Sequence, residues 1–377
     1  MKSTFLITMC DLSLAELKNF PPASTHILMI ESQRKWQALP FHRKKLTLGI
    51  SAMRHFRLEL EQAGYPVDYR HEADFASGIQ AHFREYHPER IFAFQPREWG
   101  MQQILTDLAG NLPLTLIPNP FYILPREDFI RWAEPQKSLR METFYRWMRQ
   151  RENILMQNGK PLGGRWNFDK ENRQPPPEWA YPDPPFVEPD EITRAVIEII
   201  EAQPGLWGSA EDFRLPVTRA AAVDWMEHFF RWRLADFGPY EDAMRRGDYL
   251  LTHSLLSAFL NLGLLHPREV IERAIQVAQQ FAVPLNSLEG FVRQILGWRE
   301  YIHGMYWYRM PEYRRFNFFQ HQRGLPGWYW NPEGCELACL RDSIEMVRQH
   351  GFTHHIHRLM VLSNFANLTG INPLRLS

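Results

Sequence analysis

Residues 284–308 read PLNSLEGFVRQILGWREYIHGMYWY, and this stretch decides how the second half of the chain folds. Leu288, Phe291, Ile295, Trp298, Ile302 and Met305 recur at steps of three and four, the spacing that lines one face of an α-helix. Asn286 followed by Glu289 predicts a capping box, each side chain satisfying a backbone N–H at the helix start. The opposite face carries Arg293, Gln294, Arg299, Glu300 and His303, more directional donors and acceptors than a merely solvated face requires. On the pattern alone, a core helix with a charged outer side is the simpler account.

Upstream, residues 4–9, 25–30 and 90–94 are short apolar runs with β-branched or aromatic residues, the signature of strands buried in a parallel sheet. Residues 41–65, FHRKKLTLGISAMRHFRLELEQAGY, carry Leu46, Leu48, Ile50, Met53, Phe56, Leu58 and Leu60, which favour a helix. Gly64 ends it, and residues 67–69 make a further strand. Strand and helix in alternation predict a doubly wound α/β domain over residues 1–135, with any ligand beyond the carboxyl ends of its strands. Residues 136–195 form a basic, aromatic connector that ends in the run QPPPEWAYPDPPFVEPDE, where the prolines forbid regular structure. Residues 196–377 read as an all-α domain, with glycine and proline mostly between helical segments.

Composition narrows the function classes. Aromatic residues make up 14% of the 377, which suits stacking on planar ligands or bases. Lys+Arg 43 balance Asp+Glu 43, so nucleic-acid binding has to come from a local basic patch rather than a global field. Cys10, Cys335 and Cys339 make no disulfide framework, and a reducing cytoplasm is the natural compartment. The N-terminus lacks a signal-peptide layout and no apolar run reaches membrane-spanning length, so a soluble chain without membrane contact is expected. No protein partner is identifiable.

Three stretches carry candidate chemistry. His253, Ser254 and Ser257 offer imidazole, hydroxyl and backbone donors near a helix start, a way to grip a diphosphate with few charges; an ordinary capping segment is the alternative. His354, His355 and His357 crowd together, and His354 and His357 share a helical face, but no partner carboxylate or cysteine motif accompanies them to make a metal site. Residues 163–173, GGRWNFDKENR, read either as a surface loop tied down by Trp166 and Phe168 or as a phosphate contact.

As words, FVRQILGWREYIHGMYW, HSLLS at residues 253–257, GGRWNFDKENR, and GFTHHIHRLMVLSNFANLTG at 351–370 resemble the photolyase/cryptochrome flavoprotein superfamily. The match is nearest to its bacterial branch, which carries an iron–sulfur cluster and includes (6-4) photolyases. The resemblance implies an α/β domain with a doubly wound parallel sheet followed by an all-α flavin-binding domain, shortened at its C-terminus. It implies FAD held by Tyr240, His253, Ser254, Leu256 and Ser257, and by Gln294 and Arg299 of the central helix. Trp298 stands where family members stack a tryptophan on the flipped-out lesion, and His355 where (6-4) photolyases place the histidine of proton transfer. Cys339 matches the first of four thiolate ligands of a [4Fe–4S] cluster, whereas Cys10 and Cys335 match none of the others.

Some positions depart from the family pattern. Met9-Cys10-Asp11-Leu12 replaces the usual Gly-Asp-Gln-Leu turn of the domain that holds an antenna, a lumazine in this branch. Leu255 replaces a frequent arginine, and Leu359 the later histidine of animal enzymes, while Trp330 matches one aromatic relay. The implied activity is light-driven electron transfer from reduced FAD to a (6-4) photoproduct in UV-damaged DNA. A cryptochrome-like light sensor without repair and an inactive truncated remnant are the alternatives.

Overall fold

Five parallel strands, β1 (Ser3–Ile7), β2 (Thr25–Ser32), β3 (Val67–Glu72), β4 (Arg90–Phe94) and β5 (Leu114–Ile117), stand in the order β3-β2-β1-β4-β5. The structure is a computed structural model that describes residues 3–376. Phe5, Leu6, Ile27, Leu28 and Met29 are fully buried, which is why these strands read as continuous apolar runs rather than as alternation. β1 pairs β2 from Ser3↔Thr25 to Ile7↔Met29 on one side and β4 from Ser3↔Arg90 on the other. The strand order therefore reverses at β1, and the turn after β1 stands at the switch point of a doubly wound sheet. Four strands match the sequence expectation within a few residues. β5 does not announce itself, because LTLI is a four-residue edge strand only partly buried.

The helix Arg43–Gln62 begins where the His42 ring accepts from the Lys44 N–H (3.1 Å), and the chain leaves it through Gly64, whose φ of +85° a side chain would resist. Leu46 and Ile50 on this helix meet Val196 and Ile200 on the helix Glu191–Glu201. Both helices belong to one compact unit, formed by Met1–Pro125, Pro185–Trp225 and Leu256–His266. A second unit, formed by Arg126–Pro184, Met226–Leu255 and Pro267–Ser377, is helical and contains the central helix.

The central helix overturns two sequence expectations. It runs as α-helix Leu285–Val292, a π-helical stretch Arg293–Arg299 and α-helix Glu300–Arg309. A π turn holds one residue more than an α turn, so side chains beyond it are rotated by about 100°. The stripe accordingly breaks: Leu288, Phe291 and Ile295 are buried, but Trp298 is 43% and Ile302 56% exposed. Arg293, Glu300 and His303, placed by the pattern on an outer face, are buried instead. The capping box also fails. The helix starts after Pro284 with no side-chain cap, Asn286 Nδ2 donates to Asn172 Oδ1 (3.2 Å), and Glu289 Oε2 accepts from the Phe168 N–H (3.2 Å). Gly304, past the π turn, lets the helix approach Phe129, whose ring would lie 2.0 Å from an added Cβ.

Candidate functional site

The polar side of the central helix is sunk into a charged network that the sequence did not advertise. Arg293 bonds Asp169 and lies 3.3 Å from Glu241 Oε1 and 3.6 Å from Glu289 Oε1. Burial penalises the charged form, so the Glu241 carboxyl is pushed up to about 7 against the opposing pull of Arg293, with the Asp242 and Asp169 carboxylates adding to the rise. Burial raises Glu289 as well. Asn172, fully buried, donates to Glu241 (3.2 Å). Residues 163–173 are thus pinned from within, through Asp169, Asn172 and the Phe168 N–H, as much as through their aromatic rings. The Glu289–Arg293 spacing of four was the available signal, and it reads equally well as a solvated helix pair.

Four histidines, three of them close in sequence and the fourth about a hundred residues earlier, meet in space. The rings of His253 and His354 stack at 4.2 Å and 10°, His354 meets His357 edge-on at 4.3 Å, and His355 meets His253 at 5.2 Å. His354 is fully buried, and neither of its ring nitrogens has a hydrogen-bond partner among the described residues. Burial first, then the neighbouring imidazoles, drive its pKa far below the usual histidine range, and burial brings His253 down to about 3. The stack is therefore neutral. His357 Nδ1 shares a 3.0 Å hydrogen bond with Ser343, whose hydroxyl donates to the Cys339 carbonyl. His355 is 37% exposed at its side chain, with Nε2 3.8 Å from Asp242 Oδ1. The His355 imidazole beside it holds the Asp242 carboxyl below its ordinary range.

The other sequence candidates fall as follows. Tyr240 is half-buried against Trp179, Gln294 Nε2 donates to the Gly290 carbonyl (3.3 Å), and Arg299 lies 3.3 Å from Glu300. Residues 249–256 are not helical; Leu251 and Leu255 take left-handed φ values of 46° and 57°. The helix Ser257–Leu262 starts only at Ser257, so Ser254 is not its cap. Leu256 and Ser257 belong to the first compact unit, and Tyr240, His253, Ser254, Gln294, Arg299, Trp298 and His355 to the second. The Trp298 indole meets the Tyr301 ring at 6.5 Å and is otherwise outward, so it is not a core residue.

The cluster and the antenna implied by the resemblance would involve Cys339 and the turn after β1. Cys10, Cys335 and Cys339 are all free thiols, and among the described residues no three His, Cys, Asp or Glu side chains are arranged to hold a metal ion. They do not supply the four thiolates of a [4Fe–4S] cluster. The turn after β1 is filled by its own groups: Met9 lies against Gly49, Asp11 accepts from Thr8, and Arg97 bonds the carbonyls of Cys10, Leu260 and Asn261. The flavin fares better, because buried imidazole nitrogens without a partner are costly unless a ligand or water meets them. No helix is long and apolar enough to cross a membrane.

Comparison with known proteins follows the same lines. The family model described as deoxyribodipyrimidine photo-lyase-related protein matches residues 10–215. The chain is 38% identical over 371 residues to a (6-4) photolyase of Agrobacterium fabrum, covering 96% of this chain and 73% of that protein. Among solved structures, a bacterial class III photolyase from Agrobacterium tumefaciens superposes with a TM-score of 0.63 over 98% of this chain and 73% of its own. A cryptochrome of Synechocystis sp. PCC6803 gives 0.66 over 100% and 76%. Both superpositions run at 14% identity and speak to the fold alone.

Proposed function

We propose that this chain, which belongs to the deoxyribodipyrimidine photo-lyase-related family, is a light-dependent DNA-repair flavoprotein acting on (6-4) pyrimidine photoproducts. The observation that carries this reading is the central π turn, which leaves the Trp298 ring at the surface of a helix whose polar side is anchored in a buried charged network. A base extruded from a duplex loses its stacking neighbours, and an exposed indole on a rigid support replaces them. The 38% identity to a (6-4) photolyase along nearly the whole chain supports that lesion class.

FAD, when bound, would supply the light-driven electron. Tyr240, His253, Ser254, Gln294 and Arg299 are the side chains of the second unit that would hold it, and the neutral His253–His354 stack would wall it without adding charge. His355 would carry the transferred proton at Nε2, which lies 3.8 Å from Asp242 Oδ1. No step is assigned to an iron–sulfur cluster or an antenna.

The test is repair of an oligonucleotide carrying one (6-4) photoproduct by the purified chain with reduced FAD under blue light, read by chromatography of the products. Repair in light and none in darkness is the expected result. Stoichiometric flavin without repair would favour a light sensor, and a chain that binds no flavin would overturn the reading.

A further inference from the structure

The most exposed aromatic surface of the second unit lies just beyond the central helix, in residues 309–323, RMPEYRRFNFFQHQR. Four arginines stand against one acid there, Glu312, and Arg309, Arg314 and Arg315 are exposed and make no ion pair among the described residues. Phe316, Phe318 and Phe319 are 64%, 77% and 62% exposed. A folded chain seldom leaves three phenylalanines in solvent, and interleaving them with unpaired arginines suits a ligand that offers both flat apolar faces and negative charge.

The segment is built rather than frayed. Asn317 closes a tight turn, donating from Nδ2 to the His321 carbonyl (2.8 Å) and accepting the His321 N–H at Oδ1 (3.0 Å), with Gln320 in the left-handed region. Arg323 then pairs with the 370–372 backbone, its N–H bonding Gly370 and its carbonyl accepting from Asn372. Phe318 and Phe319 occupy the tip of that turn, and the Phe319 ring lies flat on His321 at 5.4 Å. The surface is also continuous with the proposed lesion site. Phe316 meets Tyr313 at 6.4 Å, Tyr313 lies within electrostatic reach of Tyr301, and Tyr301 meets Trp298.

We propose that residues 309–323 form a DNA-gripping edge, in which Arg309, Arg314 and Arg315 hold backbone phosphates beside the lesion and Phe318 and Phe319 stack on the bases next to it. This rests on the repair reading above, and it assigns contacts to residues outside the candidate lesion and flavin positions. Phosphate contacts position and carry no sequence preference, whereas ring stacking favours distorted or unpaired bases over an intact duplex.

The experiment is fluorescence anisotropy with a labelled duplex carrying one (6-4) photoproduct and with the intact duplex of the same sequence, over a salt series. Wild type is compared with Arg314→Gln/Arg315→Gln, Arg314→Lys/Arg315→Lys, Phe318→Ser/Phe319→Ser and Trp298→Ala. The glutamine pair is expected to weaken both duplexes alike and to lower the salt slope by about two, with the lysine pair restoring it. The serine pair is expected to weaken the lesion duplex by about tenfold and the intact duplex less, with an unchanged slope. All these side chains are exposed, so melting temperatures should hold. Unchanged affinities in both the glutamine and the serine pair overturn the proposal, and so does a serine pair that alters only self-association of the protein. If Trp298→Ala alone abolishes lesion preference, the repair reading survives while this one falls; a wild type that binds no DNA at any salt removes both.

Discussion

Replacing His354 by phenylalanine should leave the protein as stable at pH 7.5 and make it distinctly more acid-resistant. The fully buried ring stacks on His253 and uses neither nitrogen for a hydrogen bond to protein, so a flat apolar ring costs no partner. The sign follows from the direction of the shift. His253 and His354 both titrate below the ordinary histidine value once folded, so their contribution is fully present above about pH 6.5 and is lost as pH falls. At pH 5.5 each unfolded imidazole binds its proton about ten times out of eleven, a cost to the folded state of about 1.4 kcal/mol per histidine. The two together amount to about 3 kcal/mol between pH 7.5 and 5.5, and His354→Phe should recover about half. Urea unfolding followed by tryptophan fluorescence at both pH values measures this, compared as the difference between wild type and variant so that other titrating groups cancel. An identical acid loss in the two proteins would mean that His354 is already protonated in the fold, and the neutral stack would be wrong.

Glu241 should act in the opposite sense. Its folded pKa of about 7 lies above the ordinary 4.5, so its stabilising share is present below 4.5 and fades as pH rises through 7; between pH 5.5 and 7.5 it offsets part of the histidines' gain, and Glu241→Gln should gain about 1–3 kcal/mol more than wild type across that range in the same urea assay. His355→Asn should abolish (6-4) repair while leaving flavin absorption intact, and undiminished repair in that variant would remove His355 from the chemistry. Gly304→Ala should destabilise by about 1–3 kcal/mol in thermal melts, because Phe129 is wedged among Trp132, Phe144, Tyr301 and Tyr308 and cannot yield to the new methyl.

The sheet could be read from the sequence because its information is local. Residues 27–30 are apolar on both faces, as suits an interior strand of a parallel sheet covered on both sides. The central helix could be recognised but not oriented. Asn286 and Glu289 carry the right residues for a local cap, yet their partners, Asn172 and Phe168, are 114 and 121 residues away, and side chains satisfied at long range leave the cap unmade. The π turn leaves no mark in a three-and-four periodicity, since one added residue shifts everything after it without changing the spacing of what came before. Trp298 and Ile302 therefore read as core and stand in solvent. The histidine cluster was visible as GFTHHIH, but its stacking partner His253 lies about a hundred residues earlier, and no spacing rule connects them.

These departures have one physical root. The π stretch begins at Arg293, the residue whose guanidinium is claimed by Asp169, Glu241 and Glu289. A buried charge without partners costs several kcal/mol, so once Arg293 faces inward its carboxylates must follow, and residues 163–173 are drawn down with them through Asp169 and Asn172. With the polar side committed to the interior at Arg293, the extra residue that follows turns Glu300 and His303 inward as well. The part of the apolar stripe beyond Ile295, Trp298 and Ile302, turns outward instead. On this account the exposure of Trp298 is set by a loop distant in sequence, and the conspicuous polar residues of GGRWNFDKENR serve the candidate site by fixing the rotation of the helix that presents it.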